Sequence, residues 1–147
     1  MYLLDSNVLR EYLRSNATLQ AHLQRIPHDE LALPSAVAAE ALRGRCEYAL
    51  KAEPAQSVAA HALLLETLHT VVSFHLVTFD QASSAKLAEL LRRHQSRKRY
   101  ADMMIAALAL AGGHVLVTRN QKHFADLLPS AQLQNWPTAK LADPPRP

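Results

Sequence analysis

Five short apolar runs punctuate the chain, at residues 1–4, 31–34, 75–79, 114–118 and 133–136. Each has the length of a buried strand. Between them lie longer stretches with apolar residues at helical spacing. Ser6 and Asn7 precede Val8, Leu9, Tyr12 and Leu13; Ser35 precedes Val37, Ala41 and a run to Leu50; Pro54 opens a segment carrying Val58, Ala62, Leu65 and Leu68. Asp80 starts a stretch with Ala85, Leu87, Leu90 and Leu91, and Tyr100-Ala101-Asp102 leads into Ile105, Ala106 and Leu108, stopped by Gly112-Gly113. A Ser or Asp just before a periodic run marks a helix start, and a double glycine marks a stop. Strands alternating with helices predict an α/β fold, three layers deep (α/β/α), around a central parallel sheet of about five short strands. The linking stretches are long enough for right-handed crossovers. Ligands of such sheets sit outside the carboxyl ends of the strands, which directs attention to the residues that follow each run.

Composition narrows the class. The 147 residues suit one domain, expected over residues 1–140, with a proline-rich tail at 141–147. Apolar residues make up 49% and charged residues 20%, which excludes disorder over the whole length. The net charge of +3 is compatible with a nucleic-acid partner without demanding one. A single cysteine, Cys46, cannot form an internal disulfide. The longest apolar run, Met103 to Ala111, is less than half of the ~20 residues that span a bilayer. The start, Met-Tyr-Leu-Leu-Asp5, has no basic region before its apolar residues, so no signal peptide and a cytoplasmic location are expected.

The strand ends carry the candidate chemistry. Asp5, Ser6 and Asn7 follow the first run. Glu40 lies in the helical stretch after the second, Asp102 begins the helical stretch before the fourth, and Thr118, Arg119 and Asn120 follow the fourth. Taken singly, Asp5 reads as a helix cap, Asp102 as a carboxylate favoured by a helix dipole, and Thr118 and Asn120 as turn residues. Taken together, carboxylates from distant points meet at one sheet edge. Such acids repel one another unless a cation joins them, and hard oxygen ligands suit Mg²⁺ or Mn²⁺. A zinc site is not indicated, since the eight histidines include no His-Glu-x-x-His and there is no cysteine pair. Neither a nucleophile elbow nor a phosphate-binding glycine loop is present. The strand-then-Asp start of haloacid-dehalogenase-like phosphatases needs a second Asp where Asn7 stands.

Four motifs in order carry a family resemblance: Leu3-Leu4-Asp5-Ser6-Asn7-Val8-Leu9, Pro34-Ser35-Ala36-Val37-Ala38-Ala39-Glu40, Asp102-Met103-Met104-Ile105-Ala106-Ala107 and Val117-Thr118-Arg119-Asn120-Gln121-Lys122-His123-Phe124. The closing Leu133-Gln134-Asn135-Trp136 is similar to the same family's final strand. The sequence resembles PIN-domain ribonucleases, specifically VapC-type toxins of toxin–antitoxin pairs. The resemblance implies a metal-dependent endoribonuclease with Mg²⁺ or Mn²⁺ at Asp5, Glu40 and Asp102. It places Ser6, Asn7, Thr118 and Asn120 around the site, and it implies a homodimer held in check by a cognate antitoxin. The sequence departs from the pattern at His123, where many relatives carry a fourth acid. That departure favours one-metal over two-metal chemistry. It leaves His123 open as a ligand, a phosphate contact or an inert substitution, with Asp126 as a candidate replacement acid. It also gives weight to a second reading, a PIN-like module that binds RNA or protein with little or no catalysis.

Arg92, Arg93, Arg97, Lys98 and Arg99 form the densest positive run. Together with Arg119 they are candidate RNA contacts, since an acidic site alone repels phosphates. The competing reading is a solvated helix end. Tyr100 reads equally as a base-stacking or a packing residue.

Overall fold

The computed structural model describes residues 1–94 and 99–138; Arg97, Lys98 and the tail at 141–147 lie outside them. Strands β1 (Tyr2–Leu4), β2 (Leu31–Pro34), β3 (His75–Val77), β4 (Val115–Val117) and β5 (Leu133–Gln134) form one sheet in the order β3-β2-β1-β4-β5. Every neighbouring pair is parallel, with Leu3 opposite Ala32 on one side and Leu116 on the other. Helices α1 (Ser6–Leu13), α2 (Ala17–Leu23), α3 (Ser35–Lys51), α4 (Pro54–Ser73), α5 (Gln81–Arg93), α6 (Tyr100–Gly112) and α7 (Gln121–Phe124) complete the expected α/β/α arrangement.

Burial on both faces of the sheet explains its composition. Leu3, Leu4, Ala32, Leu33, Leu116 and Val117 are all fully buried, with no polar residue alternating between them. Truncation of Leu116 to Ala is expected to cost about 2–5 kcal/mol. Helix α6 is apolar around most of its circumference, and Met103 and Ile105 through Ala109 are buried, so its one acid in the first turn, Asp102, stands out. Gly113 ends α6 in the left-handed region at φ 61°, and the His114 N–H then reaches back to the Ala109 carbonyl at 2.9 Å.

Local chemistry sets the boundaries. Asp5, rather than Ser6 or Asn7, caps α1. Asp80 caps α5 through a reciprocal bond with Ser83, and Pro54 begins α4, where a missing N–H costs nothing. Four of the five strands are shorter than their apolar runs. His114 is spent on the end of α6, so β4 starts at Val115. Strand β3 pairs with β2 only as far as Pro34 opposite Val77, which leaves Thr78 and Phe79 outside the ladder. After Gln134 the chain turns, so that the Trp136 ring packs on Tyr2 and His22 with centroids 5.0 and 5.8 Å apart.

Candidate active site

The strand order reverses direction at β1. From it the chain builds β2 and β3 on one side, then returns to place β4 and β5 on the other. The crevice between β1 and β4 is therefore the switch point of the sheet, where α/β folds bind ligands. Asp5 leaves β1 at this crevice, and its N–H bonds the Val117 carbonyl of β4 at 3.1 Å. Thr118 leaves β4 beside it.

The Asp5 carboxylate is almost wholly buried and each oxygen is engaged. Oδ1 accepts the Ser6 N–H at 2.7 Å, which is the helix cap. Oδ2 accepts the Thr118 hydroxyl at 2.7 Å and the Asn7 amide at 2.5 Å. Asn7 is fixed in turn by its Oδ1, which accepts the Arg119 N–H at 2.9 Å. The fully buried Thr118 oxygen also accepts the Asn120 N–H at 3.0 Å. Four of the site residues expected from the sequence (Asp5, Asn7, Thr118 and Asn120) thus form one hydrogen-bonded unit joining the ends of β1 and β4. One side chain thus makes both the cap of α1 and the link to the end of β4.

The other two acids approach from α3 and α6. Glu40 is exposed in the second turn of α3, and its Oε2 accepts the Ser6 hydroxyl at 2.7 Å. Ser6 therefore serves both Asp5, through its N–H, and Glu40, through its hydroxyl. Asp102 is half-buried at the start of α6, with Arg99 Nε at 3.8 Å and His123 Nδ1 at 3.9 Å from its Oδ2. Burial raises the Asp5 pKa above the usual carboxylate value; the Thr118 and Ser6 hydrogen bonds oppose this, and the charges of Asp102 and Glu40 add to it. Burial likewise raises Asp102, opposed by His123 and Arg99 and assisted by Glu40 and Asp126. Asp5 thus senses both other acids of the trio, and Asp102 senses Glu40.

A second, outer arrangement borders Asp102. Arg99 grips Asp126 with two bonds, at 2.8 and 2.9 Å, and also donates to the His123 carbonyl. His94 adds an Nδ1 contact to Asp126 at 3.5 Å. The bond from Arg99, ahead of every other influence, holds the Asp126 carboxyl down to about 2. Asp126 does lie within electrostatic range of Asp102, but Arg99 already occupies it. His123 is exposed, with its ring turned toward Asp102. Arg119 is paired with Glu11 at 3.0 Å. Glu11 was not singled out by sequence reasoning, although its position four residues after Asn7 places it one turn further along the same face of α1.

Asp5, Glu40 and Asp102 offer hard oxygen donors of the kind that suits a divalent cation, and the charge of Glu40 raises both aspartates in its absence. No three His, Cys, Asp or Glu side chains among the described residues stand close enough to enclose an ion. Mg²⁺ is commonly held by one or two carboxylates and keeps several waters, so a site with few direct carboxylate ligands still suits it.

The sequence profile of the PIN domain family matches residues 2–127. No curated protein sequence matches the chain. Among solved structures, FitAcB from Neisseria gonorrhoeae is 26% identical, with 86% of this chain and 93% of that chain covered and a TM-score of 0.65. VapBC-5 from Mycobacterium tuberculosis, of the VapBC family of toxin–antitoxin systems, is 27% identical, with 90% and 94% covered and a TM-score of 0.60. DNA-bound VapBC from Salmonella typhimurium shares the fold at 21% identity, with 92% and 97% covered and a TM-score of 0.70. No described helix is long and apolar enough to cross a membrane. With a profile match over most of its length and neighbours among toxin–antitoxin complexes, the chain belongs to the PIN domain family.

Proposed function

We propose that the chain is a metal-dependent endoribonuclease and the toxin of a toxin–antitoxin pair, with Asp5, Glu40 and Asp102 as its catalytic acids. One observation carries this reading. At the switch point of the sheet, just after β1, Asp5 is held by uncharged donors at both oxygens and feels the charges of Asp102 on α6 and Glu40 on α3. The structural neighbours among toxin–antitoxin systems support the toxin part of this reading.

Asp5 and Asp102 would hold Mg²⁺ or Mn²⁺. When bound, such an ion polarises a phosphodiester and makes water more acidic. Glu40, oriented by the Ser6 hydroxyl, is placed to take the proton of the attacking water. Water oxygen then bonds to phosphorus, the bond from phosphorus to the 3′-oxygen breaks, and the products are a 5′-phosphate and a 3′-hydroxyl. Thr118 and Asn7 hold Asp5 in place, and the Thr118 bond favours its charged form. The partners in this reading are RNA, a cognate antitoxin and a second copy of the chain. Exposed Val58, Leu65, Leu68 and Val72, on one face of α4, supply apolar surface for a protein partner.

Purified protein is expected to degrade bulk RNA with Mn²⁺ and to lose this in EDTA or as Asp5→Ala. The second reading, a PIN-like module that binds RNA or protein without cleaving, draws on the open spacing of the acids. Full RNA integrity after incubation with Mn²⁺ and the wild-type chain would select it.

A further inference from the structure

Two of the basic residues expected from the sequence to meet RNA are engaged elsewhere: Arg99 with Asp126 and Asp102, Arg119 with Glu11. A different set faces the acids. A cleft of about 600 Å³ opens between α1, α3 and α4, and Ser6 and Glu40 are part of its wall, so it runs directly out of the catalytic crevice. Its volume is in the range of ligand-binding clefts, ~300–1,000 Å³. Arg10 and Arg14 line it from α1, and Arg43 and Arg45 from α3. Arg45 donates to Thr67 at 3.2 Å and Arg14 lies 3.9 Å from Glu11. Arg10 and Arg43 are exposed and have no hydrogen bond or ion pair among the described residues.

The placement along α3 matters. Arg43 is one turn beyond Glu40, about 4.5 Å further along the helix axis. Two opposing charges line the cleft besides Glu40: Glu66 on α4, and Glu47, about 10 Å further along α3 from Glu40 by the same rise. The part of the cleft next to the catalytic acids therefore carries the unpaired arginines. Leu9, Leu13 and Leu63 add apolar surface. Gly44 keeps the α3 wall low: a Cβ added there meets nothing within 4 Å. Guanidinium groups grip phosphate oxygens in pairs, and apolar walls accept ribose and base faces.

We infer that this cleft receives the RNA strand next to the scissile bond, with Arg10 and Arg43 as its phosphate contacts. The inference rests on the nuclease reading for its substrate but concerns a separate set of residues. Charge favours RNA over an acidic peptide only if the arginines act as phosphate contacts, which salt dependence reports directly.

The test uses the full chain and a fluorescein-labelled single-stranded oligoribonucleotide of about a dozen nucleotides, read by anisotropy in EDTA so that nothing is cut. The Arg10→Ala/Arg43→Ala double variant is expected to bind roughly tenfold more weakly, with a log–log salt slope shallower by about 1.4, the value for two phosphate contacts. Gly44→Trp fills the cleft without removing a charge and is expected to weaken binding to a similar degree, with circular dichroism confirming the fold. Lys51→Ala/Lys86→Ala removes the same charge from exposed positions outside the cleft and is expected to bind as wild type. Equal weakening by that control means that net charge alone sets affinity, and overturns the inference. So does wild-type binding by both cleft variants, or no binding by the wild type; the cleft then belongs to a peptide. A wild type that binds RNA through the cleft but does not cut it in Mn²⁺ removes the nuclease reading and leaves the cleft standing.

Discussion

Asp5 and Asp102, the two acids proposed to hold the cation, are held in opposite ways. Asp5 is almost wholly buried and fixed by three donors, from Ser6, Asn7 and Thr118, none of them charged. Asp102 is half open to solvent and faces charge instead: Arg99 at 3.8 Å and the His123 ring at 3.9 Å. Neutral donors orient a carboxylate while leaving its charge for a cation. Charged neighbours spend part of that charge beforehand. The β1–β4 side is therefore the preorganised half of the site, and the α6–α7 side is the adjustable half, where Arg99 and Asp126 already form their own ion pair.

Removing the fixed half should have the largest effect. Asp5→Ala is expected to lower RNA cleavage by more than about a hundredfold, beyond the ~10–100-fold that loss of a supporting partner costs a metal site. It also removes the cap of α1, at about 1 kcal/mol. The same loss should appear without any assay of activity. At a hundredfold excess over its Kd, Mn²⁺ is expected to stabilise the wild type by about 2.7 kcal/mol in thermal unfolding, and to leave Asp5→Ala unmoved.

Thr118→Val keeps the shape but deletes the hydroxyl that donates to Asp5 and accepts from Asn120. A stability cost of about 1–3 kcal/mol is expected by denaturant titration, because the buried Asp5 acceptor loses a donor and the Asn120 N–H loses its acceptor. A ten- to hundredfold weaker Mn²⁺ affinity, on the order of other supporting contacts, should accompany it.

The adjustable half should respond less. The Arg99–Asp126 pair is partly exposed, so Asp126→Asn is expected to cost under about 1 kcal/mol. The pH dependence has a definite sign. Asp126 is depressed from 3.8 to about 2 in the folded chain, so its contribution is present above 3.8 and fades as the pH falls toward 2. Unfolding measured across that window should be less steep in pH for Asp126→Asn than for the wild type.

The contrast also separates what the sequence discloses from what it does not. The fold is legible because apolar runs and caps are local: residues 31–34 are β2 as expected, and Asp80 and Gly113 mark helix ends by their own side chain or backbone. The trimming of the other strands depended on distant partners, such as the Trp136 ring turning onto Tyr2 and His22. Within the site, Asp5, Asn7 and Thr118 follow strands directly, and strand ends are where a parallel sheet gathers its chemistry. Arg99 was harder. Its place in a basic run suggested RNA, but its partner Asp126 lies 27 residues away, beyond any local pattern. Arg10 and Arg43 formed no run at all and acquire meaning only when α1 and α3 pack against one cleft.

The most direct measurement is the degradation of RNA by the purified chain in Mn²⁺, followed with wild type, wild type in EDTA, and Asp5→Ala. Cleavage by the first alone, with ends bearing 5′-phosphate and 3′-hydroxyl groups, is the expected result. Equal cleavage by all three, or intact RNA with the wild type, contradicts a catalytic cation held at the end of β1.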